Sequence, residues 1–203
     1  MTMVRTARSG LAVMIGLLAL APVGHAQWFS RKRTDNTTVS PNLKNSLAPY
    51  VTTPPDVVDR MLELAKPKAG ETLYDLGCGD GRILITAAQK YGAKAVGIEL
   101  SEKLVKQARQ NISGLHLEAL ASVQHGDIMQ TDISGADIVT LYLTTTANET
   151  LRPVLERSLK PNTRVVSYDY PIPGWKAIDE IQRRVNNQSH PIYLYQIPAS
   201  FKQ

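Results

Sequence analysis

A glycine-rich stretch at residues 72–82, TLYDLGCGDGR, constrains the fold of this chain more than any other feature of its sequence. A short apolar strand leads into a turn, and an amphipathic helix follows over about residues 82–90. The turn holds three glycines, Gly77, Gly79 and Gly81. Because glycine has no Cβ atom, the backbone can approach a ligand closely there. Glu99 ends a second apolar strand about 20 residues later, where nucleotide pockets place a ribose acceptor. The pattern predicts a pocket for a nucleotide-type cofactor.

Strands and helices alternate along the chain from about residue 50. Further helices are predicted over about residues 54–66, after residue 101 and over about 147–159, and further strands over 93–100, 122–125, 137–143 and 163–168. Two last strands, at about 175–185 and 191–198, are joined by the turn-rich residues 186–189. This order predicts an α/β fold: a Rossmann-like, doubly wound, seven-stranded sheet, mostly parallel, with helices on both faces and an antiparallel C-terminal hairpin.

Three local signals set the expected ends of the helices. Thr53 is a plausible cap for the first helix, because Pro54 and Pro55 suit a first helical turn. Ser101 is the expected cap of the third helix. Pro153 is expected to break or restart the fourth, because proline lacks the amide hydrogen that a helix interior uses.

The N-terminus has the pattern of a secretory signal peptide over residues 1–26. Arg5 and Arg8 precede an apolar run at residues 11–23, and small residues stand before Gln27. The alternative is an uncleaved membrane anchor, although the run is shorter than the roughly 20 apolar residues of a spanning helix. Polar, irregular residues 27–49 predict a flexible linker, and residues 50–203 a folded domain. The expected location is therefore exported or periplasmic, or anchored to a membrane.

Composition excludes several classes of partner. The formal charge is +5, but 21 basic and 18 acidic residues follow residue 26, which is too mild an excess to predict nucleic-acid binding. The single cysteine, Cys78, cannot form an intrachain disulfide and is interpreted as a small turn residue. Four scattered histidines show no metal-ligand spacing. We therefore expect the chain to bind neither a metal nor nucleic acid. A monomer is also expected.

The residues of the turn discriminate between cofactors. A dinucleotide-binding turn has a third glycine where this chain has the bulky Arg82, and Asp80 places an anion where the diphosphate would lie. Both features disfavour NAD. The carboxylates of Asp75 and Asp80 would instead attract a cofactor that carries an amino group or a sulfonium.

The segment Asp75-Leu-Gly-Cys-Gly-Asp-Gly81, followed by Glu99 and Asp127 at the ends of later strands, resembles the class I S-adenosylmethionine-dependent methyltransferases. The resemblance implies S-adenosylmethionine as cofactor, a strand order 3-2-1-4-5-7-6, and a methyltransferase domain over residues 50–203. By position, Asp75 and the backbone of residues 77–79 would hold the methionine moiety, Glu99 the ribose hydroxyls, and Asp127 with Ile128 the adenine. The residues assigned to the cofactor are Asp75, Gly77, Cys78, Gly79, Asp80, Gly81, Glu99, Leu100, Asp127 and Ile128. The alternative for Asp127 is an ordinary turn, since Gly-Asp is common in turns.

A narrower likeness covers residues 50–175. The segments YVTTP, MLELA, GIEL and PIPGW, in this order, look like the small seven-strand protein-lysine methyltransferases of mitochondrial inner membranes and their bacterial relatives. Histone-lysine methyltransferases without a SET domain share some of these features. Residues 142–145, YLTT, depart from the Asn-Pro-Pro-Tyr element, which disfavours methylation of nucleobases or glutamine by that route.

The leading hypothesis is a methyltransferase that acts on lysine or another amine of a protein. Methyl transfer needs few catalytic groups, because the sulfonium is already activated and the protein mainly positions the acceptor. Residues after strands four and five, Tyr142, Tyr168 and Asp169, are the candidates for helping an amine lose its proton. Tyr50 and Thr52 are candidates for substrate contact. A methyltransferase of a small molecule or lipid, and an exported protein that binds the cofactor without catalysis, remain alternatives.

Overall fold

Four helices and seven strands make up the computed structural model of the chain over the residues it describes, 46–185 and 188–201. The helices are α1 (Pro55–Ala65), α2 (Arg82–Tyr91), α3 (Glu102–Ser113) and α4 (Thr145–Ser158). The strands are β1 (Thr72–Leu76), β2 (Lys94–Glu99), β3 (Ala121–His125), β4 (Ile138–Leu141), β5 (Arg164–Tyr168), β6 (Asp179–Val185) and β7 (Gln188–Gln196). These residues all belong to one unit, Asp35–Gln203. The predicted signal peptide and most of the predicted linker lie outside the described residues.

The seven strands form one sheet in the order β3-β2-β1-β4-β5-β7-β6. Strands β1 to β5 pair in parallel, and β7 runs antiparallel to both β5 and β6. The predicted fold class, the strand order and the C-terminal hairpin are confirmed.

Helices cover both faces of the sheet, because the central strands bury side chains on both sides, as the four buried residues of β4 show. A Cβ atom on Gly97 of β2 would lie 2.7 Å from Leu84 Cδ1, so α2 packs on the Gly97 face. The neighbouring Ile98 belongs to a core cluster that includes Leu151 and Leu155 of α4, which therefore packs on the opposite face. Each face thus has its own apolar layer.

The register brings the carboxyl ends of the central strands together. Asp75 of β1 pairs with Gly97 of β2 on one side and with Thr140 of β4 on the other. Glu99 at the end of β2 pairs with His125 at the end of β3. Ligands of open α/β sheets bind at this edge, so the topology alone places a site beyond Asp75 and Glu99.

The structure changes the starts of α1 and β6 and confirms the position, though not the side-chain hydrogen bond, of the predicted cap of α3. Helix α1 starts at Pro55 after Pro54, without a side-chain cap, so the prediction of Thr53 as the cap was wrong. Ser101 does precede α3, but its side chain makes no capping hydrogen bond. Strand β6 begins at Asp179, because Trp175 instead forms an isolated bridge with Phe201 and packs on its ring at 5.3 Å.

Helix α4 continues through Pro153, where a break or restart was predicted. The carbonyl that loses its partner belongs to Glu149, an exposed residue that water can reach. Thr144 caps the helix, because its hydroxyl accepts a hydrogen bond from the amide of Ala147 at 3.3 Å. Within the described part of the chain, no helix combines the length and apolar character needed to cross a bilayer.

Candidate active site

A cavity of about 360 Å³ lies beyond the carboxyl ends of strands β1, β2, β3 and β4, a volume typical of small-molecule sites. Twelve of the residues predicted for the site line it: Tyr50, Thr52, Asp75, Gly77, Cys78, Gly79, Asp80, Glu99, Leu100, Asp127, Ile128 and Tyr142. Three predicted residues, Gly81, Tyr168 and Asp169, are not part of its wall. The structure therefore gathers nearly all of the predicted residues around one space.

The glycine loop is fastened to the end of β2. The amides of Gly77 and Cys78 both donate to the carbonyl oxygen of Ile98, at 2.8 and 3.1 Å. The Cys78 side chain fills the space over Gly97, where a Cβ atom would lie 2.5 Å from Sγ. Burial raises the pKa of the Cys78 thiol, which keeps it neutral. Its position agrees with the interpretation of Cys78 as a small turn residue.

Gly81 serves the packing of the loop. Its φ is 81°, and a Cβ atom there would lie 3.2 Å from the Cβ of Ala108 in α3. Glycine therefore lets α3 approach the start of α2 closely. This explains why Gly81 does not line the cavity although the motif includes it.

Asp75 is a buried carboxyl, 4% exposed, that faces the cavity. Burial chiefly, with the nearby charges of Glu99 and Asp80, raises its pKa to about 7, although the Thr140 hydroxyl donates to its Oδ1 at 2.8 Å and opposes the shift. A buried carboxylate is stabilised by a cationic partner. Asp75 therefore fits the ammonium group of a cofactor.

Glu99 is held in place by two backbone amides. Its Oε2 accepts from Gly79 N at 2.9 Å, and its Oε1 accepts from Ser101 N at 2.8 Å. A carboxylate oxygen accepts more than one hydrogen bond, so both oxygens can still accept from ligand hydroxyls. The two amides preorient the carboxylate for a bidentate contact such as a ribose diol makes.

The structure changes the role expected of Asp80. Its carboxylate accepts two hydrogen bonds from Arg82, from Nε at 2.9 Å and from Nη2 at 2.6 Å. This bidentate pair neutralises the charge that was expected to attract the cofactor. Arg82 also donates from Nη1 to the carbonyl oxygen of Thr53 at 2.6 Å, which ties the glycine loop to the chain that precedes α1. The attraction for a cationic group then falls mainly to Asp75.

Asp127 forms a turn and also lies in the cavity wall. Its Oδ1 accepts from the amide of Met129 at 2.9 Å, which is an Asx-type turn. The same residue lines the cavity together with Ile128. The turn fixes the loop after β3, and the loop closes the cavity beyond Leu100.

Residues 46–53, which we name the covering segment, line the cavity without interruption. Leu47 and Ala48 pack against the main core cluster. The Tyr50 ring lies on the glycine loop, since a Cβ atom on Gly79 would be 2.6 Å from Tyr50 Cε2. Burial, followed by the charge of Asp80, raises the pKa of Tyr50, so its phenol is neutral. The sequence prediction assigned residues 46–49 to the linker, and the short apolar run Leu47-Ala48-Pro49 was the signal that it missed.

Three aromatic rings, which we name the tyrosine cluster, join the cavity to the outer surface: Tyr142, Tyr168 and Tyr170. The Tyr142 ring lies 4.6 Å from that of Tyr168 and 6.4 Å from that of Tyr170, measured between centroids. Burial chiefly, with Tyr168, Asp169 and Tyr170 as neighbours, raises the pKa of Tyr142 to about 12. A phenol that stays neutral at pH 7 can exchange hydrogen bonds with an amine but is not an anionic base.

Asp169 lies behind the tyrosine cluster. Its Oδ1 is 3.1 Å from His190 Nδ1 of β7. Tyr170 and His190 were absent from the sequence prediction, although Tyr170 directly follows Asp169 at the predicted strand end. No group of three potential metal-binding side chains occurs within residues 46–185 and 188–201.

Comparisons with known proteins identify the kind of site. The family model described as the ANTKMT methyltransferase domain matches residues 75–179, about half of the chain. A protein-lysine N-methyltransferase of Saccharolobus islandicus (strain REY15A) is 47% identical over 150 residues, which cover 73% of this chain and 93% of that protein. The adenine nucleotide translocase lysine N-methyltransferase of Mus musculus is 30% identical over 130 residues, 64% of this chain and 56% of the mouse protein. The chain thus spans less than two thirds of the mouse relative.

A similar solved structure belongs to a protein that is described as a methyltransferase of RNA rather than of protein. The crystal structure of an RNA methyltransferase from Salinibacter ruber, in complex with S-adenosyl-L-homocysteine, superposes with a TM-score of 0.70 at 42% identity. It covers 75% of this chain and 97% of the Salinibacter chain. The two similar proteins, at 47% and 42% identity, therefore carry names that agree on methyl transfer and differ on the acceptor.

Proposed function

Because the chain belongs to the ANTKMT-type family of class I S-adenosylmethionine-dependent methyltransferases, we propose that it methylates the side-chain amine of lysine in a protein. The names of the Saccharolobus and mouse relatives support this acceptor. The observation that carries the proposal is the acceptor side of the cavity, where Tyr142 lines the wall with Tyr168, Tyr170 and Asp169 behind it. Aromatic faces and a carboxylate favour a cationic acceptor.

The described residues can hold the cofactor by its polar groups. Asp75 takes the amino group, Glu99 the ribose hydroxyls, and Asp127 with Ile128 the adenine. Bound there, S-adenosylmethionine supplies an electrophilic methyl group on a sulfonium. The protein does not have to activate the methyl donor, so its residues act by position.

The chain's own residues have three tasks in the transfer. The covering segment excludes water, because it lines the cavity from residue 46 to residue 53. Tyr142 orients the acceptor amine through a neutral phenol. Asp169 is the anionic candidate for assisting loss of the amine's proton, since a lysine must be neutral to attack the methyl group.

RNA is the second candidate acceptor, because the Salinibacter protein is described as an RNA methyltransferase. The groups beside Tyr142 oppose it. Asp169 contributes negative charge there, and the nearby Arg183 pairs with Asp56 at 2.6 Å. A phosphate backbone binds best where cations face it. A small-molecule or lipid acceptor, and binding without catalysis, stay as further outcomes of the test.

The test separates the two macromolecules. The full chain is incubated with methyl-labelled S-adenosylmethionine and a lysate of its own cells, and the product is divided for protease and ribonuclease treatment. We expect protease alone to render the label soluble. Label released by ribonuclease would assign the RNA acceptor, label extracted into organic solvent a lipid, and label in a new water-soluble compound a small molecule. Unconsumed S-adenosylmethionine would indicate a protein without catalysis.

We also propose that residues 1–26 direct the chain to a membrane, from Arg5, Arg8 and the apolar run that follows them. An uncleaved anchor with the domain on the cytoplasmic side would keep the enzyme with its cofactor. Mass spectrometry of the N-terminal peptide of protein isolated from its cells tests this. A chain that keeps residues 1–26 would support the uncleaved anchor, and a mature chain that starts at Gln27 would support cleavage and export.

A further inference from the structure

A strained turn follows β5 beside the active-site cavity. The amide of Tyr170 donates to the carbonyl oxygen of Tyr168 at 2.8 Å, which makes a γ-turn. Its central residue, Asp169, has a φ of 68°, in the left-handed region that residues other than glycine seldom adopt. Such strain persists only where neighbouring groups impose it, and it concentrates at functional sites.

Buried polar groups impose this conformation. The Ser167 hydroxyl donates to the carbonyl oxygen of Tyr170 at 2.6 Å, and Asn148 Nδ2 donates to the same oxygen at 3.1 Å and to that of Pro171 at 3.2 Å. Asn148 and Ser167 are both fully buried, and Asn148 Oδ1 has no hydrogen-bond partner. Burying an amide with one unsatisfied oxygen costs free energy. The fold therefore retains the Asn148 side chain despite its unsatisfied oxygen, and the Nδ2 group of this side chain fixes the turn.

The turn places the ring of Tyr170 against Tyr142, which lines the cavity, and it places the Asp169 carboxylate behind these rings, in contact with His190. Tyr170 is 36% exposed and lies nearly parallel to Tyr142, with 23° between the two ring planes. Tyr142 is followed by Leu143, whose Cδ2 would lie 3.6 Å from a Cβ atom on Gly77. The tyrosine cluster thus continues from the outer surface to the glycine loop, where the methionine end of the cofactor is expected.

We propose that residues 168–170 are the acceptor-recognition turn, which selects a cationic amine over a neutral group of the same shape through Asp169 and the rings of Tyr142 and Tyr170. This inference rests on the proposed function and names the chemical property that the acceptor must have. An ammonium gains from a carboxylate and from ring faces, whereas an uncharged methyl group of equal size gains only by contact. The ammonium is recognised before it loses its proton for transfer.

The charged groups around the turn are compatible with this role. His190 contacts Asp169 from β7, and Arg183 of β6 reaches the Tyr168 hydroxyl and pairs with Asp56 of α1. Asp56 therefore offsets the charge of Arg183, whereas the charge of Asp169 acts on the Tyr142 phenol. The exposed face of Tyr170 gives the acceptor a path from the surface.

The test is a binding experiment. The full chain, loaded with S-adenosylhomocysteine, is titrated by NMR with N-acetyl-lysine methylamide and with the N-acetyl methylamide of 2-aminoheptanoic acid, in which a methyl group replaces the ammonium. We expect the lysine probe to bind about tenfold tighter. Asp169→Asn should lower its affinity about fivefold, because asparagine tolerates the left-handed backbone and can still hydrogen-bond His190 but carries no charge.

Two further variants complete the design. Tyr170→Leu should lower the affinity of the lysine probe by a similar factor, and Asp132→Asn, an exposed carboxylate outside the site, should change nothing. Equal affinity of the two probes for the wild-type protein, or unchanged lysine binding in both site variants, would overturn the inference. The binding result is independent of the methyl-transfer assay. If the chain methylates lysine but both site variants bind the lysine probe as the wild-type protein does, only the role of the turn is refuted. Label released by ribonuclease refutes only the proposed acceptor.

Discussion

Asp75 is the residue whose chemistry most depends on the cofactor. Its pKa of about 7 reflects burial in a cavity where, among the described residues, the one side chain that donates to it is the neutral hydroxyl of Thr140. Pairing with an ammonium requires the charged form, so binding must remove a proton from Asp75 below pH 7. We expect the affinity for S-adenosylmethionine to rise about tenfold from pH 6 to pH 8, measured by calorimetry.

Asp75→Asn is the matched control, because it keeps the shape of the side chain and cannot ionise. The variant should bind S-adenosylmethionine weakly, and its affinity should lack the rise between pH 6 and pH 8 that ionisation of Asp75 causes. The free protein provides an independent check: a carboxyl whose pKa is raised in the folded state makes stability fall as pH rises from about 4 to about 7. That fall should disappear in the variant. If the affinity for S-adenosylmethionine depended on pH in the same way in the wild-type protein and in Asp75→Asn, Asp75 would not be part of the cofactor site.

Glu99 contributes through charged hydrogen bonds. Glu99→Ala should weaken cofactor binding by roughly 1.5–3 kcal/mol, since it removes the acceptor of the ribose hydroxyls and releases Gly79 N. Calorimetry measures the change. Glu102→Ala removes a carboxylate of the same size from the exposed surface nearby and should leave the affinity unaltered. A folded Glu99→Ala protein that binds as tightly as the Glu102→Ala protein would contradict the assignment.

At the scale of elements, the contact between the glycine loop and β2 fixes the cavity. A Cβ atom on Gly97 would lie 2.5 Å from Cys78 Sγ and 2.7 Å from Leu84 Cδ1, with no space for a methyl group. Gly97→Ala should therefore lower the free energy of unfolding by about 1–3 kcal/mol and weaken cofactor binding, because the loop must move. Denaturant unfolding and calorimetry test both effects.

Gly135→Ala is the control for this prediction. The nearest atom to its Cβ position is the Tyr74 hydroxyl oxygen at 3.8 Å, which is an ordinary contact. We expect its stability and cofactor affinity to stay close to those of the wild-type protein. If Gly97→Ala matches Gly135→Ala in both measurements, the loop is more adaptable than these contacts imply.

The elements that local sequence determines were predictable, and those that long-range contacts determine were not. The ends of β1 and β2 follow from apolar runs that stop at glycine or acidic residues, so Asp75 and Glu99 could be placed correctly. The covering segment could not, because its contact with Gly79 joins residues about 30 positions apart. The pairing of Asp80 with Arg82 was hidden for a different reason: spacing alone does not tell whether two neighbouring charges meet.

The γ-turn at Asp169 shows the same limit. Its conformation depends on Asn148 in α4 and Pro191 in β7, which the sequence places 21 and 22 residues away. Asp169 and Pro171 are turn-forming residues, but they do not indicate by themselves which residue takes a positive φ or which atoms hold the turn. Sequence reasoning could propose Asp169 from its position after a strand, but the tertiary contacts were needed to define the turn and to add Tyr170.

At the scale of the whole molecule, the strand order brings the two halves of the reaction together. Strands β1, β2 and β3 carry the residues assigned to the cofactor, and β4 and β5 end in Tyr142 and Tyr168, on the acceptor side. Because β1 pairs directly with β4, the methyl donor and the acceptor-recognition turn share one edge of the sheet. The family resemblance predicted this order, and the alternation of strands and helices alone predicted only a parallel sheet.

The most direct test of the account identifies the methylated residue. Protein labelled by the full chain with methyl-labelled S-adenosylmethionine is hydrolysed in acid, and the amino acids are separated. We predict that the label elutes with mono-, di- or trimethyl-lysine, because Tyr142 in the cavity wall, with Tyr170 and Asp169 behind it, favours a cationic amine. Label in methylated nucleosides, in volatile methanol from methyl esters, or in amino acids other than lysine would contradict it.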